Sequence, residues 1–170
     1  RLKGGDPYVF GRGGEEAAAL ADAGIPCIVI PGITSAIGGL AAGGVPVTHR
    51  AVATSFAVIT GHEDPTKETS TLDLAWLART PGTKVILMGV ERIRPLTQEL
   101  VSQGMSAETP VGMIRWGTRS HQETLFGTLG ISLGTTEPSG NDWPFARVAE
   151  SDVRFRLTPL RWKRDLRLHE

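Results

Sequence analysis

Short apolar runs alternate with amphipathic stretches along this chain, and glycine or proline separates most of them. Arg1-Leu2-Lys3 reads as the end of a buried strand entering the turn Gly4-Gly5-Asp6-Pro7. A helix is predicted next, with Glu15 and Glu16 in its first turn, where carboxylates complement the dipole, good helix formers through Ala23, and a stop at Gly24. Cys27-Ile28-Val29-Ile30 has the continuous apolar character of a strand buried on both faces. Pro31-Gly32 ends it, and Thr34 or Ser35 is suited to cap a helix over Ala36–Ala42. Gly43-Gly44-Val45-Pro46 then reads as a hinge or domain linker.

A second alternation follows. Strands are predicted over 55–60, 84–89 and 110–115, with a helix over Leu72–Ala78 that has Asp73 in its first turn. Another helix over Arg92–Gln103 puts Ile93, Leu96, Leu100 and Val101 on one face and closes at Gly104. This order favours an α/β fold. No period survives beyond Leu129, and the stretch 134–142 has turn chemistry throughout.

Composition narrows the function classes. The 170 residues include 18 Lys+Arg and 18 Asp+Glu, so there is no global basic field of the kind that nucleic-acid binding requires. Residues 151–170 hold six basic against three acidic side chains, which reads as a solvated tail or a local anion-binding segment. The single cysteine, Cys27, can make no internal disulfide, and the four histidines form no metal-ligand cluster. No apolar run has membrane-spanning length and no signal peptide is visible, so a cytoplasmic protein without metal, membrane or nucleic-acid partner is expected.

Several junctions carry candidate chemistry, each with a plainer alternative. Paired Gly4 and Gly5 let backbone amides approach a ligand, and Asp6 can accept from ligand hydroxyl or amino groups or bond its own turn. Thr34 and Ser35 gather hydroxyls at a helix start, for a polar ligand or for capping alone. His49 and Arg50, past the glycine hinge, suit an anionic substrate or a structural turn. Met88, at a strand's carboxyl end, suits an adenine, a thioether or the core, and Arg115–Thr118 ends the last predicted strand.

Taken together, Arg1–Glu16 resembles the signature of the uroporphyrinogen-III C-methyltransferases, within the wider tetrapyrrole methylase family. The blocks Ile30–Ser35, Gly44–Arg50, Thr60–His62, Met88-Gly89, Pro110-Val111, Arg115–Thr118, Gln122 and Gly127–Leu129 follow in matching order. The resemblance implies two α/β domains with a cofactor cleft between them, a homodimer, and S-adenosylmethionine-dependent methylation of uroporphyrinogen III to precorrin-2, feeding sirohaem and cobalamin synthesis. It divides the chain into an incomplete first domain (1–45), a second domain (46–130) and an irregular segment (131–170). Carried over by position, the cofactor residues are Gly4, Gly5, Asp6, Val9, Thr34, Ser35, Met88 and Gly117. Arg1, Lys3, His49 and Arg50 are candidates for orienting the carboxylate-rich tetrapyrrole.

The family's first glycine-rich segment and its proton-transfer acid and lysine would lie before Arg1. The chain is therefore expected to be an N-terminally truncated fragment, and no catalytic residue is assigned in it. The family's terminal helix, strand and Trp-bearing end are matched only faintly, at Leu160-Arg161-Trp162, as a shifted reading frame would leave them. Two alternatives stand beside this reading: another tetrapyrrole methylase such as a cobalt-precorrin methylase, and a degenerate, non-catalytic binding or dimerisation module.

Overall fold

A computed structural model describes residues 1–62 and 70–130, all within the unit Arg1–Gly134. The segment 131–170, with its expected irregularity and its Leu160–Trp162 ending, lies outside the described residues.

The N-terminal part is helical. α1 (Gly13–Asp22) carries Glu15 and Glu16 in its first turn, and its end is closed by the Gly24 N–H on Ala21 O at 3.0 Å and the Ile25 N–H on Leu20 O at 2.9 Å. α2 (Ser35–Ala42) is capped by Thr34, whose Oγ1 accepts from the Ala36 N–H at 3.3 Å. Gly43, Gly44 and Val45 then bond back to Gly39, Ala41 and Leu40, so the expected hinge begins as the closing turn of α2.

Neither strand expected in this part forms. Arg1–Asp6 is irregular, with Leu2 98 % exposed, and Cys27–Ile30 is extended chain in which Ile28 is 86 % and Ile30 76 % exposed. The physical reason is the ladder: a strand exists only where a neighbour accepts its backbone hydrogen bonds, and no described residue pairs with either segment. Apolar character alone does not supply that partner.

Beyond residue 46 the expectations hold more closely. β1 (Phe56–Thr60), α3 (Leu74–Arg79) and β2 (Thr83–Leu87) form a parallel βαβ unit with Phe56 opposite Thr83 and Thr60 opposite Leu87. Asp73 precedes α3 as its cap, accepting from the Trp76 N–H at 2.7 Å. A single 3₁₀ turn (Val90–Arg92) leads into α4 (Ile93–Ser102), closed by the Gly104 N–H on Val101 O. β3 (Pro110–Arg115) pairs antiparallel with β4 (Glu123–Thr128), a strand that the hydrophobic pattern does not predict.

Leu77 of α3, Leu96 and Leu100 of α4 and Leu129 form the buried core, with Ala57, Ile59, Ile86 and Val111 packed on it. The predicted apolar face of α4 is thus the inward one. Thr97 is buried there too, its hydroxyl donating to Arg94 O at 3.0 Å. α2 packs on both β2 and β3, which joins the N-terminal helices to the sheet-bearing part.

Candidate functional site

Two glycine-containing loops meet at the N-terminal side. Gly5 has φ +69°, a conformation that a side chain disfavours, and it turns the chain so that its carbonyl faces Gly32. A Cβ on Gly32 would lie inside contact distance of Gly5 O, and at 2.8 Å from Gly5 C. The two backbones touch because Gly32 has no side chain to hold them apart. Beside them the Gly4 position faces open space.

Asp6 locks this junction. Its Oδ1 accepts from the Tyr8 N–H at 2.8 Å, and its Oδ2 accepts from the Gly32 N–H at 3.0 Å. The Gly32 amide first, and the Tyr8 amide next, hold the carboxyl below its ordinary range, so Asp6 is an anion near neutrality. Asp6 bonds its own turn, as one of the two readings had it, and also ties the first loop to the second. Val9 follows in the same turn, half-buried, its N–H on Asp6 O at 3.3 Å.

The charged residues ahead of the loop are engaged. Glu16 of α1 receives Arg1 Nε at 3.2 Å and Lys3 Nζ at 2.7 Å, and the Lys3 hydrogen bond, more than any other group, holds the Glu16 carboxyl low. Next to it, Arg12 forks onto Glu15, with Nη2 2.6 Å from Oε2. Arg1 and Lys3 therefore fasten the approach to the glycine loop onto α1.

From Gly32 the chain runs directly into α2. Thr34 Oγ1 is committed to the Ala36 N–H, whereas Ser35 at the first helical position is exposed. One turn along, Gly39 meets Gly117: a Cβ on Gly117 would stand 3.0 Å from Gly39 Cα. The Trp116–Thr118 turn thus rests on the helix that carries the second loop. Met88, just past β2, has φ +56° and is 57 % exposed, so it projects from the carboxyl end of the parallel pair instead of joining the core.

His49 and Arg50 stand in a separate turn. His49 exchanges both backbone hydrogen bonds with Ala53 at 2.8 Å, and its Nδ1 accepts from the Ala51 N–H at 3.2 Å. Arg50 is exposed in that turn. The structure therefore brings Gly4, Gly5, Asp6, Val9, Thr34 and Ser35 together, connects Gly117 to them through α2, and leaves His49 and Arg50 without a described contact to that group.

Gln122 is a residue whose role the sequence pattern does not reveal. Its side-chain amide accepts from the Thr118 N–H at 2.8 Å and donates to Ala42 O at 3.1 Å, 80 residues away. Only folding makes such a link visible. Among the described residues no group of three His, Cys, Asp or Glu side chains could hold a metal ion, and no helix is long and apolar enough to cross a membrane.

Residues 1–131 match the family described as Tetrapyrrole (Corrin/Porphyrin) Methylases. The chain is 55% identical over 129 residues to an S-adenosyl-L-methionine-dependent uroporphyrinogen III methyltransferase of Methanosarcina barkeri, covering 76% of this chain and 51% of that protein. It is 47% identical over 157 residues to a uroporphyrinogen-III C-methyltransferase of Priestia megaterium, covering 91% of this chain and 65% of that one. Among solved structures, the fold is similar to uroporphyrin-III C-methyltransferase from Thermus thermophilus, complexed with S-adenosylhomocysteine, with a TM-score of 0.67 and 36% identity over 81% of this chain and 61% of that one. The chain thus spans between about half and two thirds of these relatives' own length.

Proposed function

The chain belongs to the tetrapyrrole methylase family, and from that premise we propose that it forms part of an S-adenosylmethionine-dependent enzyme methylating uroporphyrinogen III to precorrin-2, at the head of sirohaem and cobalamin synthesis. The observation that carries this reading is the junction of Gly5, Asp6 and Gly32. Two loops held backbone to backbone leave the open Gly4 position to a ligand, beside a carboxylate that is an anion near neutrality.

The residues present fit such a cofactor. A side chain at Gly4 would occupy the open space beside the junction, one at Gly32 would force the two loops apart, and the Asp6 anion suits the donor groups of a ribose or an amino acid. When bound, S-adenosylmethionine supplies an already activated methyl group, so the protein's task is alignment. In this proposal Gly4, Gly5, Asp6 and Val9 hold one side, Thr34 and Ser35 the next, and Met88 and Gly117 close the far side. The same proposal divides the chain into 1–45 and 46–130, places the cofactor between them, and has the enzyme act as a homodimer.

Arg50 and His49 are proposed to face the substrate's carboxylates. Arg1 and Lys3 contribute there only by sharing their charge with Glu16. One observation favours a second reading, a non-catalytic binding or dimerisation module: the exposed apolar run Ile28–Ile33 is suited to pairing with another chain. Calorimetry with S-adenosylmethionine separates the two: saturable binding that Asp6→Ala abolishes supports the enzyme, and no binding supports the module.

A further inference from the structure

We propose that Gln122 is a positioning residue that sets the Gly117 turn against α2, so that cofactor affinity depends on a side chain outside the cofactor contacts. The proposal rests on the cofactor reading above. The turn it holds is strained: Trp116 has φ +50° and Thr118 φ +70°, and a β-branched residue in that region is costly to keep there. Within the turn, backbone bonds run from the Arg119 N–H to Trp116 O and from the Gln122 N–H to Arg119 O, both at 3.0 Å. These bonds close the turn on itself and do not fix it to its surroundings.

Gln122 makes the external link. Its Oε1 holds the Thr118 N–H, while its Nε2 reaches Ala42 O at the end of α2 and Thr124 Oγ1 at 3.3 Å on β4. One planar amide therefore connects the strained turn, the helix that carries Thr34 and Ser35, and the outgoing strand. The Gly117 turn faces Gly39 of the same helix closely enough that a Cβ on Gly117 would stand 3.0 Å from Gly39 Cα, so the turn sits against α2 where Gln122 anchors it. Without the amide the strain at Thr118 is free to relax, and the Gly117 backbone moves off α2. A purely structural residue would lower stability and leave affinity alone; Gln122 acts on affinity.

The test compares the full chain with Gln122→Ala and Gln122→Glu, reading S-adenosylhomocysteine affinity, thermal midpoint and hydrogen exchange at the Thr118 amide. Gln122→Ala is expected to weaken binding by about tenfold or more, to speed Thr118 exchange, and to lower the midpoint by only a few degrees. Gln122→Glu keeps the acceptor for Thr118 but sets a carboxylate against Ala42 O, so it is expected to keep Thr118 protected and still weaken binding. Wild-type affinity in either variant overturns the proposal. If the wild-type chain binds no S-adenosylhomocysteine, the cofactor reading fails, and the positioning role is judged on exchange alone: equal Thr118 exchange in wild type and Gln122→Ala overturns it.

Discussion

At the scale of single residues, the account turns on how closely two backbones approach. Gly32→Ala would drive a Cβ into Gly5 O, a rigid backbone atom that cannot swing aside. It is expected to cost roughly 1–3 kcal/mol in denaturant titration, whereas Gly4→Ala, which meets nothing, should be nearly silent in stability. Asp6 supplies a pH signature. Its folded carboxyl titrates below the ordinary 3.8 because the Gly32 and Tyr8 amides stabilise the anion. Its contribution to stability is therefore fully present above the unfolded value and is lost as pH falls through the lower folded one. The stability gap between wild type and Asp6→Asn should persist at neutral pH and close below about pH 4, which urea titrations at stepped pH would register. A gap that stays constant across that range would mean that the two amide hydrogen bonds do not discriminate between charge states.

At the scale of elements, α2 holds most of the candidate site together. Thr34→Ala should cost about 1 kcal/mol through the lost cap, and Thr34→Gly only a few tenths, since water then reaches the freed N–H. Equal losses in denaturation midpoint would place the Thr34 contribution somewhere other than the cap. α2 and α4 were legible because capping residues, apolar spacing and closing glycines all agree with the final structure at Thr34, Leu96, Leu100 and Gly104. Residues 27–30 misled because their apolar run reports a wish to be buried and not the presence of a neighbouring strand. β4 was missed for the converse reason: Glu123–Thr128 has no alternation, and its pairing with β3 supplies the order. In the site, the glycines and Asp6 were readable by type. The Asp6–Gly32 and Gln122–Ala42 bonds, spanning 26 and 80 residues, were not.

At the scale of the whole chain, one design feature stands out. The N-terminal loops and the β3–β4 turn are far apart in sequence, yet both meet α2, one at its start and the other one turn along it. A ligand touching both would be bound by groups that share a single rigid support, which lowers the ordering cost of binding. Ile28, Ile30 and Ile33, which flank Gly32 in sequence, are exposed and leave apolar area there uncovered among the described residues. The central claim, a cofactor held at the Gly5–Asp6–Gly32 junction, is tested most directly by calorimetric titration of the chain with S-adenosylhomocysteine, alongside Asp6→Ala. The account predicts saturable one-site binding that Asp6→Ala abolishes while the variant stays folded; no heat of binding, or binding unchanged by Asp6→Ala, would contradict it.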